Sequence, residues 1–147
     1  MQVEAQFADT LFLLERLQAV RLAIWGGASV LLGTSLLAFL RVARRESSVL
    51  LQFGIQCAAW GAFWIAFAGA WRSSTHLRDL AGAVALDRAA WFSLGIASAV
   101  VVCGAILILV GRGQRDGGAL VGAAVGAMTQ GLAVVVLALQ LSAAVVR

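Results

Sequence analysis

The sequence has no proline, lysine or asparagine, and charged residues make up only 12% of it. Soluble domains usually carry about 25% charged residues, so this composition argues against a water-soluble fold. Without proline the commonest cause of a sharp kink is missing, and we expect mostly straight helices. The two cysteines, Cys57 and Cys103, form neither a paired-CxxC metal motif nor a disulfide framework. We expect both to act as small apolar packing residues.

The few charges are also unevenly spread, and they leave four long uncharged windows. Each window reaches the roughly 20 residues that a helix needs to cross a hydrocarbon core of about 30 Å. The windows lack the two-residue alternation of barrel strands, so helices are indicated. The sequence therefore predicts an all-α membrane protein, a four-transmembrane-helix bundle in a single membrane domain. We expect its helices at about 22–40, 48–71, 89–111 and 118–146.

All eleven basic residues are arginine, and they lie mainly between or beside the windows. Arginines in such places anchor helices and set topology, so no nucleic-acid partner is predicted. The two short loops concentrate five of them, Arg41, Arg44, Arg45, Arg112 and Arg115. This density favours a cytoplasmic side for those loops, with both termini on the non-cytoplasmic side of a bacterial inner membrane.

Residues 1–20 form an amphipathic lead-in, with Val3, Phe7, Leu11 and Leu14 at helical spacing. This pattern is typical of an N-terminal interfacial helix, although a helix packed on a soluble partner domain fits it too. Glu15, next to Arg16, is then expected to be a charge at the membrane surface. The connection at 72–88 could hold a short surface helix, and we expect its single histidine, His76, to be solvated.

Glycines recur every four residues in the last window, at Gly118, Gly122 and Gly126, followed by Gln130. Such a glycine zipper lets another backbone approach closely within a bilayer. It predicts a helix-packing surface against either the rest of the bundle or another subunit. Three other windows carry smaller packing faces: Ser29 and Gly33; Ala58, Ala62, Ala66 and Ala70; Gly95 and Ala99.

Among the glutamines of the windows we single out Gln52, Gln56 and Gln130, and no window contains Asp, Glu, His or Lys. Buried amides usually join helices, although they could also line a polar path. An intramembrane carboxylate for proton coupling, bis-histidine haem ligation and metal catalysis all lack their required groups. We therefore predict no enzyme activity and no cofactor.

Five tryptophans divide into two groups by position. Trp25, Trp71 and Trp91 fall at predicted helix ends on one side, as expected of interface anchors. Trp60 and Trp64 lie within the second window, where they would fill core space or face lipid.

The order of elements resembles an uncharacterised family of small bacterial four-helix membrane proteins, a domain of unknown function. The likeness lies in the arginine-containing lead-in, the pair Gly26 and Gly27, and the pair Gln130 and Gly131. Family members also carry asparagines in helices 2 and 3 and an aspartate after the Gln-Gly pair, which this chain lacks. The resemblance thus implies architecture without an activity.

These observations together predict a non-enzymatic membrane protein that is a structural or accessory subunit. Its expected partners are the lipid bilayer and other membrane-protein subunits or further copies of itself. The alternative is a small oligomeric transporter or channel with a path near the glutamines.

Overall fold

The computed structural model describes residues 2–75, 77 and 80–145, so His76 and position 146 lie outside the described residues. The described part consists of four helices: α1 (Gln2–Val42), α2 (Ser48–Ser74), α3 (Leu80–Arg112) and α4 (Gly118–Val145). Each is long and apolar enough to cross a membrane. The predicted all-α bundle of four membrane-spanning helices is confirmed.

The predicted lead-in and first span are one continuous helix rather than two elements. α1 has 41 residues, which corresponds to about 62 Å, twice the hydrocarbon thickness. The charges at Arg16 and Arg21 interrupt the apolar window but not the backbone ladder, because neither glycine nor proline occurs before Gly26. The interfacial helix of the sequence prediction is therefore the first part of α1, and Glu15 lies inside the bundle.

α3 also begins earlier than its uncharged window indicates. It starts at Leu80, nine residues before the predicted start at 89, and it contains Asp87 and Arg88. The segment is rich in Ala and Leu, the residues with the most favourable helix propensity, so two charges do not end the helix. The expected short surface helix is thus the first part of α3.

The helices do not form a closed ring. α1 packs on α2 and α3 packs on α4, while α4 also contacts α2 closely and α1 lightly. Among the described residues, α3 has no comparable contact with α1 or α2. One side of the bundle, between α2 and α3, is therefore open.

Glycines bring α1 and α2 together at a spacing of seven residues. A Cβ on Gly26 would lie 2.7 Å from the Gly61 carbonyl oxygen, and one on Gly33 would lie 2.5 Å from that of Gly54. Seams with this period belong to helices that cross at a shallow angle, and the pairing of Gly26 with Gly61 and of Gly33 with Gly54 makes α1 and α2 antiparallel. Ser29 and Gly33 thus lie at the α1–α2 interface. On α2 the face is Gly54, Ala58 and Gly61 rather than the predicted Ala58–Ala62–Ala66–Ala70 row, since the last three alanines are exposed.

The glycine zipper of α4 meets α2. A Cβ on Gly118 would collide with the Ser48 hydroxyl, and one on Gly122 would collide with the Val49 backbone. A Cβ on Gly126 would come within 2.6 Å of the Gln56 side chain. The zipper is therefore a packing surface inside the chain.

Gly95 and Ala99 have a different position from the other predicted packing residues. Both are exposed, and a Cβ on Gly95 would meet nothing within 4 Å. They lie on the side of α3 turned away from α4, which we call the α3 outward face. Within the described part of the chain this predicted packing pair meets no other helix, because α4 covers only the opposite side of α3.

Candidate functional site

The open side of the bundle is a cleft of about 680 Å³ between α2 and α3, with α4 and α1 at its base. On α2 it runs from Trp60 to Ser74, and on α3 from Ala85 to Val100. Fifteen helical residues rise about 21 Å, so the cleft is long and narrow. Its volume falls within the range of small-molecule sites, roughly 300–1,000 Å³. We call it the α2–α3 cleft.

One wall of the cleft is a continuous row of aromatic rings on α2. The members are Trp60, Phe63, Trp64, Phe67 and Trp71, at spacings of three and four residues. Trp60 and Trp64 stack with ring centroids 6.1 Å apart, and Phe67 meets Trp71 edge-on at 5.7 Å. Such pairs stabilise beyond the area they bury, by about 0.5–1.5 kcal/mol each. The row is thus a preformed apolar surface.

The opposite wall is lined largely by small side chains, which is why a space exists there. Those on α3 and α4 are Ala85, Ala89, Ala90, Ser93, Ala97, Ala127, Gly131 and Ala138. Glycine at 131 also lets α3 approach α4, because a Cβ there would lie 3.0 Å from the Ala97 carbonyl oxygen. The two helices behind the cleft therefore form a smooth surface that the aromatic row does not fill.

The cleft is closed at one end and open along its side. Trp71 packs against the buried cluster Leu86, Ala90 and Leu141, which joins α2 to α3 and α4 at that end. Along the side, Phe63 and Ile96 are about half exposed. An apolar molecule could therefore enter from the lipid without crossing a polar surface.

Two polar groups in the cleft lack hydrogen-bond partners among the described residues. Gln18 lies at the base, 3% exposed, and its Nε2 donates to the Leu137 carbonyl at 2.8 Å. Its Oε1 accepts no hydrogen bond there, and the Trp64 Nε1–H donates none. One unpaired acceptor and one unpaired donor thus belong to an otherwise apolar lining.

Gln130 also borders the cleft, but its amide is engaged within the protein. Its Oε1 accepts from the Trp25 Nε1–H at 2.8 Å, and its Nε2 donates to the Ser29 hydroxyl at 3.3 Å. The buried Cys57 of α2 lies against this side chain. Gln130 therefore joins α1, α2 and α4 at one point.

The other two predicted glutamines lie elsewhere. Gln52 and Gln56 are half-buried on α2, outside the α2–α3 cleft, and Gln56 lies against Gly126. Neither side chain hydrogen-bonds to another residue in the described part of the chain. The structure thus does not bring the three glutamines together in one cavity.

The three predicted interface tryptophans do not share one level. Trp25 bonds to the buried Gln130, and the α1–α2 register places it opposite position 62 on α2. That is nine residues from Trp71, or about 14 Å along the helix. Trp71 and the exposed Trp91 remain near the ends of their helices' apolar regions. Trp25 is an interior residue because α1 begins well before the predicted start of the first span.

Two acidic residues within the helices were missed as interior groups. Glu15 is 0% exposed on α1, one turn before Gln18, and Asp87 is half-buried on α3. The signal available in the sequence was the spacing of Leu11, Glu15, Gln18 and Leu22. Their alternating steps of four and three residues place these side chains on one helix face.

No cluster of three His, Cys, Asp or Glu side chains able to hold a metal ion occurs in the described part of the chain. The free cysteines differ in environment, since Cys57 is buried and Cys103 is exposed. In comparisons with known proteins, no family model, curated protein or solved structure matches this chain.

Proposed function

We propose that this chain is a non-enzymatic integral membrane protein that serves as an accessory subunit of a membrane assembly. Its contact with the partner is the α3 outward face, Gly95 and Ala99. The observation that carries this proposal is an exposed pair of small residues at four-residue spacing in the middle of α3, with no atom within 4 Å of a would-be Cβ on Gly95.

The energetic argument starts from the cost of a glycine in a helix. Glycine is about 1 kcal/mol less favourable than alanine in a helix interior, and in membranes this cost is offset where a second backbone approaches. At Gly33, Gly61, Gly122 and Gly126 the second backbone or side chain belongs to this chain. At Gly95 no such neighbour exists, and a helix of another subunit would supply it.

The inner membrane of a bacterium is the proposed location, with the two arginine-bearing loops in the cytoplasm. Arg44 and Arg45 lie between α1 and α2, and Arg115 lies between α3 and α4. Both loops therefore emerge at the same end of the bundle. Short loops rich in arginine favour the cytoplasmic side, which leaves both termini on the other side.

The test is purification from native membranes in mild detergent, comparing the wild type with Gly95→Leu. The matched control is Gly69→Leu, because Gly69 is an equally open helical glycine that lies outside the α3 outward face, five residues before the end of α2. We expect the wild type and the control to co-purify with a second subunit or a further copy, and Gly95→Leu to be a stable monomer. A wild-type protein that is itself a solitary monomer would contradict the proposal.

A second candidate function, transport, is favoured by Glu15. This carboxyl group is completely buried in a membrane-spanning helix, and ionisable residues in such positions commonly belong to ion or proton pathways. Flux in reconstituted vesicles separates the two functions. Transport predicts movement of a solute that Glu15→Gln abolishes. Gln56→Leu and Gln130→Leu test the glutamine path in the same assay.

A further inference from the structure

We propose that the α2–α3 cleft binds a neutral, long-chain molecule from the bilayer that carries a single hydroxyl group. The inference is independent of the accessory-subunit proposal, because the cleft and the α3 outward face lie on different sides of α3. It rests on the shape of the cleft, on its lining and on the two unpaired polar groups.

The shape of the cleft suits a chain-like molecule. It runs for about 21 Å along α2, from Trp60 to Ser74. Its volume of about 680 Å³ lies within the range of small-molecule sites. A single hydrocarbon chain lying between the aromatic row and the small residues of α3 and α4 matches this elongated space.

The polar groups select the head of the molecule. Gln18 Oε1 needs a donor and the Trp64 Nε1–H needs an acceptor, and a hydroxyl is both at one atom. Gln18 lies at the level of Leu137, because it donates to the carbonyl of that residue. Trp64 lies near the same level, because α4 runs parallel to α2. A plain hydrocarbon would leave both groups unpaired, and a ketone or quinone oxygen would leave Gln18 Oε1 unpaired.

The charge of the lining excludes ionised heads. No arginine, histidine, aspartate or glutamate is among the residues that line the cleft in the described part of the chain. A carboxylate or phosphate in such a lining would lose its hydration without gaining a counter-ion, which is strongly unfavourable. The ligand class is therefore a neutral long-chain alcohol.

Tryptophan fluorescence provides the test, because three of the five tryptophans, Trp60, Trp64 and Trp71, line the cleft. The purified full chain in detergent is titrated with a brominated long-chain alcohol, whose bromine quenches nearby indoles. The matched probes are the alkyl bromide and the brominated fatty acid of the same chain length. We expect saturable quenching by the alcohol, with much weaker quenching by the other two.

Two variants probe the two parts of the site. Trp64→Phe keeps an aromatic ring and removes the N–H, and it should weaken binding of the alcohol about tenfold. Ala89→Phe fills the cleft from an exposed position on α3 and should abolish saturable quenching. Trp91→Phe is the control, because Trp91 is exposed and does not line the cleft, and it should leave the affinity unchanged.

Several outcomes would overturn the proposal. Equal affinity for the alkyl bromide would show that the hydroxyl contributes nothing to binding. Tighter binding of the fatty acid would show that the site does not require a neutral head. Unchanged affinity in Trp64→Phe would show that the Trp64 N–H does not contact the ligand. If a helix of a second copy occupied the cleft instead, Ser93→Cys in a Cys103→Ala background would form a disulfide-linked dimer, and quenching by the alcohol would not saturate.

Discussion

Gln130 shows how one buried amide can fix the relative positions of three helices. It is 3% exposed and interacts with Trp25, Ser29 and Cys57. Each hydrogen bond of this kind in a membrane contributes about 0.6 kcal/mol and at most about 2 kcal/mol. The main effect of Gln130 is therefore on geometry. Because its amide is hydrogen-bonded through both its oxygen and its nitrogen, it favours one registry of α1 on α4.

Replacing Trp25 tests this junction. Trp25→Phe keeps an aromatic ring but leaves Gln130 Oε1 without its donor, so the free energy of unfolding should fall by about 1–2 kcal/mol. Thermal or denaturant unfolding followed by circular dichroism in detergent measures the change. Trp91→Phe serves as the control at an exposed position and should have little effect. Equal stability of the two variants would show that the bond contributes nothing.

Arg44 is the one described non-glycine residue with a left-handed backbone, at φ 48°. The Arg45 N–H donates to the Leu40 carbonyl at 3.1 Å, and the Arg44 N–H donates to the Arg41 carbonyl at 3.4 Å. This pattern is the Schellman ending of a helix, in which the left-handed position usually carries glycine. The arginine charge therefore occupies a position whose backbone does not favour it.

Arg44→Gly should stabilise the protein by about 1 kcal/mol, since glycine adopts this conformation without steric cost. The measurement is the unfolding midpoint, compared with Arg45→Ala, which removes a neighbouring charge without relieving the backbone. A loss of stability in Arg44→Gly larger than that in Arg45→Ala would contradict the expectation.

At the scale of the elements, two kinds of small-residue packing coexist on α2. On the side of α2 that faces α1, glycines recur every seven residues, at Gly54 and Gly61. The side of α2 that faces α4 contacts glycines of α4 that are four residues apart. The four-residue spacing is the small-xxx-small pattern of closely crossing membrane helices. The spacing was visible in the sequence, but each surface needed a partner helix before its role could be assigned.

Gly122→Leu tests the α4 surface. The new side chain would collide with the Val49 backbone, which cannot move as a flexible side chain could, so we expect a loss of about 3 kcal/mol or failure to assemble. Gly69→Leu, at an open position, should retain nearly the wild-type stability in the same unfolding assay. Unaltered stability of Gly122→Leu would rule out tight packing there.

The uncharged windows located all four helices but not their ends. Charges at Arg21, Asp87 and Arg88 divide the sequence into windows, whereas a helix continues wherever its backbone bonds can form. For this reason α1 and α3 are longer than predicted. In contrast, α2 and α4 begin where expected, because each follows a loop that ends in serine or glycine.

For the whole molecule, four alternating helices place the α1–α2 and α3–α4 loops at one end. Glu46→Cys and Asp116→Cys, each in a background with Cys57→Ala and Cys103→Ala, should therefore behave alike toward a membrane-impermeant maleimide. We expect both to be labelled only after the inner membrane is permeabilised, in keeping with the proposed orientation. Labelling of one loop but not the other in intact cells would contradict the arrangement of the helices.

The sequence by itself determined the class of protein, the number of helices and the presence of small-residue surfaces, because apolar length and glycine spacing are local properties. Only the tertiary structure decided what each surface meets. It directed Gly118, Gly122 and Gly126 toward α2, left Gly95 and Ala99 uncovered, and placed Glu15 and Gln18 in the interior. The α2–α3 cleft is likewise a tertiary feature, since it exists because α3 packs on α4 and leaves the aromatic row of α2 without a neighbour.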